Sequence, residues 1–332
     1  MGSDLSSFAE RFPDVPPLTE ILWSLLAQVP TGHVTTCGDL ADALGNRVAA
    51  AWIGHLSLHH DHTPECHCHR IVRAGGQLGG YVTGSIDEKV EKLAQEGVLI
   101  RDGVIDLDEF GVREFVSDRP LEALRRVQEV IQRQIVLEPR QEIPELVAGV
   151  DVAYPEPGIG VAAYALVETA TGRLVWSTTV RRRVAFPYIT TYLSFREIPI
   201  LLELLDEVQA TGFLAEVLMV DGNGILHQRH AGIASHLGVL IERPTVGVTK
   251  SLLCGDVDMN EMAPGDVRPV TLEGHQIGSA MRMTSGSRRP VFLSPGHAVD
   301  VAFCERLARI LAIGRRLPAP IHLADRLSRS RR

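Results

Sequence analysis

Apolar residues recur at helical spacing over residues 18–29, again over 39–44, and again over 47–58. Thr35-Thr36-Cys37-Gly38 and Gly45-Asn46 break the pattern between them. Helix, turn and helix in this order predict a helix-turn-helix module. The glycine-rich stretch 74–81 predicts a hairpin, 85–96 a helix, and Gly103 with residues 106–110 short strand-like pieces that close the unit. Past a polar junction, residues 121–136 form an amphipathic helix with Leu121, Leu124, Val127, Val130 and Ile131 on one side. The pattern then alternates. Strands are predicted at 146–152, 158–168 and 174–184, a helix at 194–208, a buried strand at 217–221, a helix at 228–240 and a strand at 245–248. Mixed strands followed by strand–helix units predict an α/β layer fold. The expected division is a small α+β helix-turn-helix domain over 1–112, a linker over 113–120 and an α/β domain over 121–332.

A length of 332 residues agrees with two domains, and 45% hydrophobic with 22% charged residues is an ordinary globular balance. No apolar run approaches the roughly 20 residues that span a bilayer. The first 16 residues lack a basic flank followed by an apolar stretch. Five scattered cysteines suit a reducing compartment. A soluble cytoplasmic protein with no membrane partner is the expectation. The net charge of −8 is unevenly distributed: residues 1–118 hold 8 Lys+Arg against 18 Asp+Glu, and the remainder holds 25 against 23. Arg326, Arg329, Arg331 and Arg332 read as a flexible basic tail able to touch phosphates.

Four polar residues fall at element ends in the second region. Asp151 interrupts the apolar string Ala148-Gly149-Val150-Asp151-Val152-Ala153-Tyr154, where a carboxylate is costly without a partner or a metal. Asp221 closes a buried strand ahead of Gly222-Asn223-Gly224, Glu197 opens a helix, and His297 ends Leu293-Ser294-Pro295-Gly296-His297. Alone, Asp221, Glu197 and His297 read as well as turn, first-turn or loop residues; Asp151 within its strand is harder to dismiss. Carboxylates converging at strand ends make a site for a hard divalent cation.

Five strings, over residues 148–154, 186–197, 220–238, 247–255 and 293–297, together resemble the endonuclease V family, in order and across residues 121–328. The resemblance implies an RNase H-like mixed sheet with flanking helices and a Mg2+-dependent nuclease, with Mn2+ able to substitute. It implies Asp151 and Asp221 as metal ligands, Glu197 completing the site through water, and His297 orienting water or phosphate. Lys250 matches a family lysine near the site, and His227 another family position. Phe186-Pro187-Tyr188-Ile189 resembles the family's wedge, which enters the gap beside an extruded base, and Gly222 and Gly224 would let backbone approach that base. Thr191 stands where many members carry glycine. The implied reaction is hydrolysis of a phosphodiester 3′ of deoxyinosine in DNA. Inosine-containing RNA is the alternative substrate, and a non-catalytic lesion sensor the alternative function.

Cys68-His69-Arg70-Ile71-Val72-Arg73, the glycines after it, Val34-Thr35-Thr36 and Gln95-Glu96-Gly97 resemble the C-terminal, winged-helix-like domain of the O6-alkylguanine-DNA alkyltransferases. The resemblance implies Cys68 as alkyl acceptor, activated by His69 and Glu96, with Arg70 at the substrate-binding motif; a nearby imidazole lowers a thiol pKa. Cys37, Ala51, His60 and His67 depart from the family at positions that handle DNA. Three readings follow: residual transfer, a DNA-docking remnant, and zinc binding by the crowd of His55, His59, His60, His62, Cys66, His67, Cys68 and His69.

Overall fold

A computed structural model of the chain describes residues 7–63 and 65–330. It divides into two compact units: Val15–Arg126 with Phe186–Tyr192, and Met1–Asp14 with Val127–Ala185 and Leu193–Arg332.

In the first unit, α1 (Leu18–Leu26) buries Leu18, Leu22, Leu25 and Leu26. β1 (Thr35–Thr36) leads into α2 (Cys37–Ala43), where the Thr36 hydroxyl caps the helix by accepting from Asp39 N. Gly45, at φ +97°, turns the chain toward α3 (Ala50–Leu58). β1 pairs in parallel with β2 (Ile71–Val72). α4 (Ile86–Gln95) follows, and then β3 (Ile100–Arg101) and β4 (Val104–Ile105) form a two-stranded ribbon. The expected hairpin over 74–81 is instead a set of turns bridged at Gln77 to Val104. Residues 106–110 close as a turn through Phe110 N to Asp106 O rather than as a strand.

α5 (Pro120–Gln134) carries the chain into the second unit. Its buried positions are Leu121, Leu124, Gln128 and Ile131, whereas Val130 is exposed. Gln128 tolerates burial because its side chain binds those of Arg229 and Ser194. β5 (Leu146–Glu156), β6 (Ile159–Glu168) and β7 (Leu174–Arg183) form an antiparallel meander. Next come α6 (Leu193–Thr211), β8 (Val217–Asp221), α7 (Ile233–Ile241) and β9 (Thr245–Thr249). The predicted helix over 228–240 begins only at Ile233, because residues 225–230 are taken up in tight turns ending at His230, φ +53°. Three strands and two helices were not anticipated: β10 (Val267–Leu272), β11 (His275–Met281), β12 (Val291–His297), α8 (Val301–Ile310) and α9 (Ala319–Ser328). Arg326 lies in α9, not in a free tail, and Arg329 pairs with Asp325; Arg331 and Arg332 fall outside the described residues.

The eight strands run β10-β11-β12-β9-β8-β5-β6-β7, with β5, β8 and β9 mutually parallel and the others antiparallel. Alternation sorts the strand residues onto two cores. Ala148, Val150, Leu218 and Val220 face α6 and α7, while Val147, Val217 and Met219 face the layer of α8 and α9. This is the expected RNase H-like mixed sheet with flanking helices. Among the described residues no helix is long and apolar enough to cross a membrane.

Candidate active site

Asp151 and Asp221 are brought together by strand register. Val150 pairs with Val220 on parallel neighbours, so the next residue on each strand, Asp151 and Asp221, lies side by side. By alternation both belong to the face covered by α9. Gly149 lets that helix approach: a Cβ there would lie 2.3 Å from the Pro320 carbonyl carbon. The close approach delivers two further side chains. Ser328 donates its hydroxyl to Asp151, and Asp325 joins the aspartates, so that oxygens of Asp151, Asp221 and Asp325 all lie within 4.8 Å of one another. Asp325 escaped the sequence reading. The spacing of the buried Ile321, Ala324 and Ser328 marks a helix face there, but nothing in the pattern marks Asp325 as chemistry.

Lys250 donates to Asp221 at 2.9 Å and to Asp325 at 2.8 Å. Burial works against its charge, but these two carboxylates outweigh it and hold its pKa above the usual lysine value. Burial, and then the charge of Asp221, pushes the Asp151 carboxyl up to about 7. Glu197, from the first turns of α6, is buried beside them; burial and then the charges of Asp151 and Asp221 raise it well above the carboxylate range. Three buried or half-buried carboxylates crowded together, with oxygen-only donors and a single lysine between them, fit a hard divalent cation.

His297 does not join them. It pairs with Thr245 at one end of β9, whereas Asp221 pairs with Val248, three residues or about 10 Å further along that strand. Its Nδ1 accepts from Val136 N at 3.4 Å, beside a hollow also lined by Gln134 and Glu242. The sequence marks His297 only as ending a short string; the structure makes that string part of β12 and sets its end away from the carboxylates. Gly222 and Gly224 also serve the protein itself. A Cβ on Gly224 would fall 1.9 Å from Pro295 O, and one on Gly222 would touch Ile233 at 3.1 Å. His227 is buried and accepts from Arg229 N at 3.2 Å, a turn-stabilising contact.

Pro187, Tyr188 and Ile189 lie in the segment that groups with the first unit. Tyr188 is 64% exposed between buried Pro187 and Ile189. The buried Tyr192 hydroxyl anchors the segment, donating to Leu121 O at 3.0 Å and accepting from Asn46 at 2.9 Å. Thr191 has φ +69°, a left-handed conformation costly for a β-branched residue and readily adopted by the glycine that the resemblance expects there.

In the first unit His69 Nε2 meets Glu96 Oε1 at 2.8 Å, so the imidazole–carboxylate half of the expected relay is formed. Arg70 is not available to substrate. It is buried, and its guanidinium is consumed by Glu96, the Val29 carbonyl at 2.7 Å and the Thr31 hydroxyl. Burial alone would raise Glu96, but the hydrogen bonds from Arg70 and His69 prevail and bring it down to about 2. The expected lowering of the Cys68 thiol is reversed: its hydrogen bond with Cys66, and then burial, push it up. Cys68 Sγ lies 3.6 Å from His62 Nδ1, and Cys66 Sγ lies 3.2 Å from His60 Nε2.

Comparison with known proteins matches residues 129–326 to endonuclease V and residues 17–98 to the DNA-binding domain of 6-O-methylguanine DNA methyltransferase. A bifunctional methyltransferase/endonuclease of Thermoplasma volcanium is 30% identical over 316 residues, covering 94% of this chain and 89% of the relative. The catalytic domain of human endonuclease V superposes with a TM-score of 0.61 at 30% identity, over 64% of this chain and 96% of that one. Endonuclease V of Ciona intestinalis, in complex with DNA containing an inosine followed by a ribo-adenosine, has a TM-score of 0.58 at 25% identity, over 64% and 97%. The chain therefore belongs to the endonuclease V family of DNA repair nucleases, fused to an alkylguanine-transferase-type DNA-binding domain.

Proposed function

We propose that the chain is a Mg2+-dependent endonuclease that hydrolyses a phosphodiester 3′ of deoxyinosine in DNA, leaving 3′-hydroxyl and 5′-phosphate ends. The observation that carries this reading is the convergence of Asp151, Asp221 and Asp325 on one point. These three would hold the cation, and Glu197 would complete the site through water. When bound, magnesium polarises a phosphodiester and lowers the pKa of water; manganese, with a similar preference for oxygen ligands, would substitute. Lys250 keeps the carboxylates oriented through its two ion pairs and offsets part of their mutual repulsion. With a cation bound beside these carboxylates, the Lys250 ammonium would be free to contact a phosphate oxygen. Tyr188, an exposed ring between buried neighbours, would stack where a purine has left the helix. The bound inosine of the Ciona relative supports the substrate, and the impaired pairing of a deaminated base lowers the cost of extrusion.

The test is nicking of matched duplexes with and without one inosine, and of the corresponding inosine RNA, in Mg2+ and in chelator. Cutting confined to inosine DNA with metal is expected. Equal cutting of plain and inosine duplexes removes the base specificity, faster cutting of the RNA moves the substrate to RNA, and undiminished cutting in chelator ends the metal reading.

A further inference from the structure

The first unit holds a second set of converging donors that the nuclease reading does not use. His60 and His62 follow α3, and Cys66 and Cys68 precede β2. One donor atom from each lies within 4.8 Å of the other three. A tetrahedral zinc with bonds of about 2.3 Å to sulfur and about 2.0 Å to nitrogen needs ligand–ligand edges of about 3.3–3.8 Å. The observed sulfur–nitrogen separations are 3.2 and 3.6 Å.

The outer nitrogens strengthen the case. His60 Nδ1 lies 3.0 Å from the Leu56 carbonyl, which only accepts, so the hydrogen sits on Nδ1 and the Nε2 lone pair is turned toward sulfur. His62 Nε2 lies 3.3 Å from the Tyr81 hydroxyl, leaving Nδ1 for the interior of the cluster. Outer-nitrogen bonds of this kind fix ring orientation and tautomer at metal-bound histidines. His60 also packs on Trp23 with ring centroids 4.8 Å apart. The crowding thus resolves itself: of the eight histidines and cysteines between His55 and His69, four turn inward, while His55 and His59 stack on each other and His69 binds Glu96.

We propose that His60, His62, Cys66 and Cys68 bind one Zn2+ as a closed structural site, and that this site withdraws Cys68 from alkyl transfer. Binding converts two thiols to thiolates and releases two protons to solvent, and the two thiolates neutralise the dication. Sulfur and imidazole donors select zinc over magnesium, so this site and the carboxylate site take different metals. With its four protein ligands the zinc has no open position, and the Cys68 lone pair that would attack an alkyl group is committed to the metal. The ion would tie together a segment that, among the described residues, forms no helix or strand between His59 and His67.

The experiment measures zinc in the full-length chain by mass spectrometry of the metal after gel filtration in Mg2+. The expected result is about one zinc per chain, retained in Asp221→Asn and reduced at least about fivefold in Cys66→Ser. Co2+ replacing zinc in the unaltered chain should give tetrahedral d–d absorption with thiolate charge-transfer bands. Iodoacetamide should label the Cys66 and Cys68 peptides only after chelation. Equal zinc in Cys66→Ser and parent overturns the proposal. If Cys66→Ser fails to fold, the cobalt spectrum and the labelling of the parent decide alone. Octahedral cobalt, or equal labelling with and without zinc, overturns it.

Discussion

The two units solve the same problem, gathering donors around a point, by opposite means. In the nuclease unit Asp151, Asp221 and Asp325 come from two parallel strands and a helix, and only the completed sheet brings them together. In the first unit His60, His62, Cys66 and Cys68 lie within nine residues of one another on a loop. The first arrangement is held by regular backbone pairing and close helix packing, with Lys250 paired to two of its carboxylates. The second lies on a segment with no helix or strand between α3 and Cys68 among the described residues. Hard oxygens on a rigid frame suit a cation that must keep water for chemistry; soft donors on a loop suit one that holds chain together.

The sharpest break of that contrast is Asp325→Asn, which should lower inosine-duplex nicking about 10^3-fold, as much as Asp221→Asn. A rate within tenfold of the parent would remove α9 from the site. Gly149→Ala comes next. The added methyl would push α9 off the sheet, costing about 1–3 kcal/mol in chemical denaturation and about 10^2-fold in rate. Stability retained with full activity would show that the close approach is dispensable.

The two units should also answer acid in opposite directions. Glu96, held down to about 2 against its ordinary 4.5, stabilises its unit fully above pH 4.5 and loses that contribution as pH falls from 4.5 to 2. Glu96→Gln should therefore cost about 2 kcal/mol near neutrality and nothing at pH 2, read by hydrogen exchange in the first unit. Asp151, held up to about 7 against 3.8, has the reverse sign: without a divalent cation the nuclease unit loses stability as pH rises from about 4 to 7, and Mg2+ should cancel the loss. Parallel pH profiles would refute both assignments. Tyr188→Ala should lower kcat/KM on inosine duplex about tenfold while leaving the melting temperature within error, because the ring is exposed. His297→Ala should change nicking by less than about twofold, since it sits at the far end of the sheet; a hundredfold loss would reverse that placement.

Much of the nuclease site was legible because its residues stand out from apolar strings. Asp151 between Val150 and Val152, and Asp221 after four buried residues, are each conspicuous in a strand. Asp325 is not, because an acidic residue among arginines on an amphipathic helix resembles any solvated face. His297 shows the converse limit. Its place at the end of a short string gave no strand, and the resemblance assigned it to the site; which end of the sheet it reaches depends on strand direction, which the pattern does not encode. The His/Cys crowd named eight candidates, and only backbone geometry separated the four that converge from their neighbours in sequence.

One consequence of the strand order reaches beyond the folded molecule. β5 adjoins β8, yet β6, β7 and α6 intervene along the chain, so joining Asp151 to Asp221 closes a long loop that the local meander cannot shorten. A nascent or partly melted chain that has zipped only its early hairpins has no centre at all. The carboxylate centre is thus complete only once β5, β8 and α9 have come together.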